Sequence, residues 1–177
     1  MQHSKKIQTG RSMIEMIAVL AIIGIITVGV IAGINQGFIK YRTTATYTEI
    51  RHISQNIANL YSWQRQYKDG DCTKTGTDIV SCPFLCENDV FLNGCEGNQP
   101  INPFGGSYYI TFPQDEGGNH IIMRIQATGI PEEAACEELR LQHWGNYIAS
   151  NEDTQLTQNP ECRGDDTNGY TFLIEFY

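Results

Sequence analysis

The sequence predicts an α+β protein: a long N-terminal stem helix packed on an antiparallel β-sheet head. Three observations carry that prediction. Met13 to Ile34 is an unbroken apolar block whose one charged residue is Glu15. The stretch after it, Phe38 to Lys68, holds neither Gly nor Pro, and Tyr47, Ile50, Ile53, Ile57, Leu60 and Tyr61 recur at three- and four-residue steps. That spacing lines one face of a helix. Beyond Gly106, short alternating runs separated by turn residues read as strands.

The apolar block comes first in the chain and in the argument. A helix of that length rises about 33 Å, enough to cross a bilayer core. A cleaved secretory signal has a shorter apolar stretch, about 7–15 residues, followed by a small-residue cleavage site. Here the chain runs on through Asn35-Gln36-Gly37-Phe38 into more helical sequence. The simplest reading is a membrane anchor. Lys5, Lys6 and Arg11 on one side face Lys40, Arg42 and Arg51 on the other, so charge alone leaves the orientation open. The cysteines decide it. All six, Cys72, Cys82, Cys86, Cys95, Cys136 and Cys162, follow the block, an even set that suits an oxidising space outside the cytoplasm.

Charge divides the chain in the same place. Arg11 to Lys68 carries six Lys or Arg against two acids, and Asp69 to Tyr177 carries four against eighteen. A net charge of -8 disfavours direct binding to nucleic-acid phosphates, and what remains of 177 residues after the block supports one modest core rather than a multidomain enzyme.

Glu15 is what a plain anchor leaves unexplained. A carboxylate inside an apolar helix costs roughly 2.5–3.5 kcal/mol at mid-bilayer, less near an end, and signals a partner. The positive end of the helix dipole offsets only part of that cost. A specific cation is therefore expected.

Gly10-Arg11-Ser12-Met13-Ile14-Glu15-Met16, with the apolar helix Ile17 to Ile34 behind it, resembles the N-terminus of type IV pilins and of the related pseudopilins of type II secretion. The resemblance covers about the first 30 residues and is specific because a basic leader, a glycine, a spaced glutamate and a long apolar helix rarely coincide. It implies a type IV pilin-like fold, removal of residues 1–10 as a leader by prepilin peptidase between Gly10 and Arg11, and N-methylation of Arg11. It also gives Glu15 its partner, the N-terminal amine of a neighbouring subunit, and so a role in filament assembly. Two departures stand out. Arg11 occupies a position where the family usually has Phe, Met or Leu, and the proline common in the middle of this helix is absent. Gly24, Gly29, Gly33 and Gly37 are there instead, and at about 1 kcal/mol of helix propensity each they are candidate bending points.

The remaining elements follow in order. Residues 11–34 form the transmembrane or filament-core half of the stem and residues 35–69 its amphipathic half, stopped by Asp69-Gly70-Asp71. Residues 70–106 read as a long cysteine-rich loop without sustained period. Its four cysteines allow three connectivities, and proximity favours Cys72–Cys82 with Cys86–Cys95. Zinc is disfavoured, because no histidine lies between His52 and His120. Residues 107–177 should hold an antiparallel sheet from Ser107–Phe112, Ile121–Ala127 and Tyr170–Tyr177. A short helix opens at Pro131, has Glu132 and Glu133 in its first turn, and turns Ala135, Cys136, Leu139 and His143 inward. Asn102-Pro103-Phe104-Gly105-Gly106 and Ile130-Pro131 with Ala135-Cys136 and Leu139 look like segments of type IVb-like pilins. That likeness implies a Cys136–Cys162 disulfide bounding an exposed C-terminal region, worth roughly 3.5 kcal/mol in the entropic treatment.

Other residues invite functional readings and receive plainer ones. His52 has no second ligand nearby and reads as a polar surface or groove residue. His143 beside Trp144 reads as helix-end packing before a sugar site. Asp165-Asp166-Thr167-Asn168-Gly169 has the composition of a calcium loop without its alternating spacing, so a turn is expected. Gly105-Gly106 lacks the Lys-Ser/Thr of a phosphate loop. No grouping of Ser, His and Asp supports catalysis, and no cofactor or metal is expected.

The functional expectation is a non-enzymatic structural pilin for surface tasks such as adhesion. It would be held in the inner membrane with its N-terminus cytoplasmic and its head periplasmic, then exported as an extracellular fimbrium. Its partners would be other copies of itself, prepilin peptidase, the inner-membrane platform and the assembly ATPase. A type II secretion pseudopilin or minor pilin is the alternative, and a periplasmic enzyme or receptor on an uncut anchor is a third.

Overall fold

The computed structural model describes residues 13–62, 72–75, 79–113, 122–145, 160–165 and 167–176. Chain contacts fall into two units, Met1–Phe38 and Ile39–Tyr177. Helix α1, Met13–Leu60, runs through the boundary between them.

In the first unit α1 is helical throughout its described length, with Gly24, Gly29, Gly33 and Gly37 inside it. Thr27 is the sole hydroxyl in the apolar block, and its Oγ1 donates to Ile23 O at 2.8 Å. That back-bond satisfies the polar atom within the helix and leaves the surface apolar.

The second unit folds around the other half of α1. Ile50, Ile53, Ile57 and Tyr61 are buried on the stripe that the spacing predicts, and they share one core with Tyr108, Ile110, Ile125, Phe172 and Ile174 of the main sheet. Aromatic contacts join helix to sheet and loop: Tyr61 meets Phe112 edge-on at 5.7 Å, and Tyr47 meets Trp144 edge-on at 4.8 Å. The helix ends at Leu60: Tyr61 N makes the last four-residue bond, to Ile57 O, and Ser62 N donates three residues back to Asn59 O. The stop expected at Asp69-Gly70-Asp71 lies outside the described residues.

Between the helix and the main sheet the chain holds more regular structure than an aperiodic loop. Strands β1 (Thr73–Thr75) and β2 (Ile79–Ser81) pair antiparallel, as do β3 (Cys95–Glu96) and β4 (Gln99–Pro100). Helix α2, Pro83–Glu87, sits between the two ribbons in sequence. The disulfides Cys72–Cys82 and Cys86–Cys95 close this region, joining the first of its four cysteines to the second and the third to the fourth.

The main sheet contains β5 (Tyr108–Thr111), β6 (Met123–Ile130), β7 (Glu161–Asp165) and β8 (Gly169–Phe176), in the order β5-β6-β8-β7 and antiparallel throughout. Strand β8 is therefore interior. One of its faces puts Tyr170, Phe172, Ile174 and Phe176 in the core. On the other, Glu175 lies opposite Arg124 of β6 and accepts from its Nε. Helix α3, Glu133–Arg140, buries Ala135, Cys136 and Leu139, and Cys136–Cys162 ties it to β7. His143 departs from expectation. It falls beyond the helix end and is exposed, while its neighbour Trp144 is buried, stacks on Phe172 at 5.3 Å and donates Nε1–H to Leu139 O.

Candidate membrane and assembly segment

The first unit is defined by apolar side chains that are exposed among the described residues. Met13 is 85 % exposed, Ile25 76 % and Ile31 57 %, and the window of α1 apolar enough to cross a membrane has none of its residues buried. Among the described residues α1 is the single helix with that length and composition. Apolar area left in water costs roughly 25 cal/mol per Å² relative to burial, so a surface this continuous requires an apolar environment. A lipid bilayer and the matching helices of other copies both supply one.

Glu15 lies in the first turn of α1 and is exposed. A carboxylate in the first turn of a helix is favoured by the positive end of the helix dipole. Gly10 and Arg11, the expected cleavage and methylation positions, lie outside the described residues. The structure thus gives the carboxylate and the apolar surface around it.

In the second unit a buried acid, Glu49, does work that its place in the sequence conceals. It is 1 % exposed, Oε1 accepts from Asn93 N at 3.3 Å, and Oε2 accepts from Asn93 Nδ2 at 2.9 Å and from Tyr108 Oη at 3.0 Å. One carboxylate thereby fastens helix, loop and sheet. Burial pushes its pKa above the usual carboxylate range, against the opposing pull of those donors and of His52. Burial and the adjacent carboxylate together hold the Tyr108 hydroxyl protonated well above its ordinary range. The available signal was positional: Glu49 falls between Thr46 and Ile53 on the buried stripe, where a solvated acid has no reason to be.

Asn102 explains the Asn-Pro-Phe-Gly-Gly segment in the same physical terms. Its Nδ2 donates to Thr128 O at 2.7 Å, and its Oδ1 accepts from Phe104 N at 2.9 Å and Gly106 N at 3.2 Å. A side chain at Gly106 would place Cβ 1.9 Å from Thr128 O, so the close approach to β6 requires glycine. Gly129, at a φ of +73°, faces it.

The remaining sequence candidates settle into structural places. His52 is half-buried with its Nδ1 3.2 Å from Asn56 Nδ2. Asp165 closes the β7–β8 turn by accepting from Thr167 N and Asn168 N, which lowers its pKa. Among the described residues no three of His, Cys, Asp and Glu group as metal ligands.

Taken together these features define an α+β chain with a disulfide-braced sheet unit and a long helix whose first half exposes apolar side chains around a single carboxylate, Glu15. Comparison with protein-family models, with curated proteins and with solved structures returned no match.

Proposed function

We propose that this chain is the structural subunit of a type IV pilus-like filament, stored in a membrane through α1 and polymerised by packing the apolar halves of α1 from many copies. The observation that carries the reading is the apolar surface from Met13 to Ile34, exposed on every side and interrupted by the single carboxylate of Glu15 in the first turn. A membrane anchor alone needs no carboxylate there. A filament core does, because each added subunit brings an N-terminal amine that has to be neutralised and placed.

In this reading prepilin peptidase cuts between Gly10 and Arg11, and the freed amine of Arg11 pairs with Glu15 of a neighbouring copy. The pair sets register, since a mismatched position leaves two charges unpaired in an apolar core. The second unit stays in water and offers the filament's surface, held in shape by three disulfides that suit export.

Glu15→Ala tests the pairing. The variant should be processed normally and inserted in the membrane, yet fail to extend filaments seen by electron microscopy of sheared material. Normal filaments from Glu15→Ala overturn the pairing role. Short periplasmic fibres from the unsubstituted chain, with secretion of another protein lost on its deletion, would move the assignment to a secretion pseudopilin.

A further inference from the structure

Two cations of α1 stand apart from the other described Lys and Arg side chains of the second unit. Arg124 pairs with Glu175, Arg140 with Glu137 at 2.7 Å and Arg163 with Glu161 at 2.8 Å. Arg51 donates to Tyr47 Oη at 3.2 Å and lies over its ring. Lys40 and Arg42 are exposed and enter no ion pair among the described residues. The helix offers them no acid nearby. From Met16 to Thr48 there is neither Asp nor Glu, and Glu49, the first acid after them, is buried and engaged by Asn93 and Tyr108. Tyr41, between the two cations, is 72 % exposed.

Their arrangement selects the kind of partner they face. Successive residues of a helix are turned by about 100°, so Lys40, Tyr41 and Arg42 point to three different sides of α1. The remaining side holds Ile39, which packs against the core, and Thr43, which is fully buried. A protein docking on one face of the helix would meet one of the three. A layer that encircles the helix meets them all. Chain position fits such a layer. Lys40 follows Ile34, the last residue of the apolar block, by six residues, about 9 Å of helical rise. Side chains on a helix lean toward its N-terminus, so Lys40 and Arg42 reach back over the preceding turn. A reach of about one turn, roughly 5 Å, returns their charges to the headgroup layer, which is about 5–8 Å deep on each side of the hydrocarbon.

We infer that Lys40 and Arg42, with Tyr41 between them, form a collar that binds the phosphates of anionic phospholipids at the surface of the membrane in which α1 is stored. The inference rests on the membrane storage proposed above and adds the lipid class and the residues that recognise it. The phosphates supply the negative charge that this stretch of α1 lacks, and an aromatic ring with a hydroxyl suits the boundary between acyl chain and headgroup. The collar also limits how far α1 slides along the bilayer normal, because an inward shift drives two cations into hydrocarbon.

The test uses the full-length chain reconstituted in phosphatidylcholine vesicles with a trace of spin-labelled lipid, either phosphatidylglycerol or phosphatidylcholine. The motionally restricted fraction of each label reports the lipid beside the protein. The phosphatidylglycerol label should be favoured several-fold at low salt and less at high salt. Lys40→Gln combined with Arg42→Gln should lower that preference several-fold, whereas Arg51→Gln, which removes a cation already held by Tyr47, should leave it unchanged. Lys5, Lys6 and Arg11 are common to all these chains, so the difference reads the substituted positions. An undiminished preference in the double variant overturns the collar and leaves the anchor standing, as does an equal loss in Arg51→Gln. Filaments lost by the double variant with its lipid preference intact overturn the collar and assign the two cations to a contact between subunits. An unsubstituted chain that alkaline carbonate strips from the vesicles overturns anchor and collar together.

Discussion

The two halves of α1 are made of similar material and have opposite fates. From Met13 to Ile34 isoleucines and valines are exposed, while at Ile50, Ile53 and Ile57 they are sealed against the chain's own sheet. The difference is one of pattern rather than hydrophobicity. The first half carries apolar residues on every described side, with Glu15 as its one charge. The second is apolar on one stripe, and Phe172, Ile174, Ile110 and Ile125 fill the opposite wall. Among the described residues one half therefore leaves its apolar surface exposed, and the other buries its own in the second unit's core.

Substitutions on either half should separate these roles. The largest effect is expected from Ile22→Arg, which places a charge at the middle of the exposed apolar surface at a cost of about 2.5–3.5 kcal/mol. The protein should leave the membrane fraction while the melting temperature of the second unit is unchanged. Next comes Ile53→Ala, a fully buried truncation that should cost roughly 2–5 kcal/mol in denaturant unfolding and leave membrane partition as it was. Equal effects of both variants on both readouts would remove the distinction between the halves.

The smallest effect is a pH dependence at Glu49. Its folded pKa lies above the unfolded value, so the folded state binds the proton more tightly. Stability from this group is then fully present below the unfolded pKa and is lost as pH rises through the raised folded value. Relative to Glu49→Gln, which does not titrate, the unsubstituted chain should gain melting temperature on acidification through that window. A gain on alkalinisation instead would contradict the burial argument.

How much of this was readable from residues alone depends on whether periodicity or tertiary pairing makes the element. The apolar block and the 50-53-57 stripe are periodic and long, and the structure places both in α1. The interior strand β8 shows its alternation in Tyr170, Phe172 and Ile174. Strand β7 was missed. Glu161-Cys-Arg-Gly-Asp has neither alternation nor strand-forming residues, and it is held by pairing with β8 and by the disulfide to α3. The two ribbons between Thr73 and Pro100 escaped because strands of two or three residues are too short for any period to register. His143 falls on the inner side only of a helix that continues past Arg140, and α3 ends there. At the candidate site Glu15 was plain because it is a lone charge in an apolar run. Glu49 was not, since its meaning depends on Asn93 and Tyr108, 44 and 59 residues away.

The central claim is that α1 begins, in the working molecule, at a processed N-terminus whose amine Glu15 neutralises. Intact mass with N-terminal sequencing of protein sheared from cells tests it most directly. The account predicts a chain starting at Arg11, methylated or not, and lighter by six hydrogens for the three disulfides. A membrane-bound chain that still carries Met1 to Gly10 would contradict it.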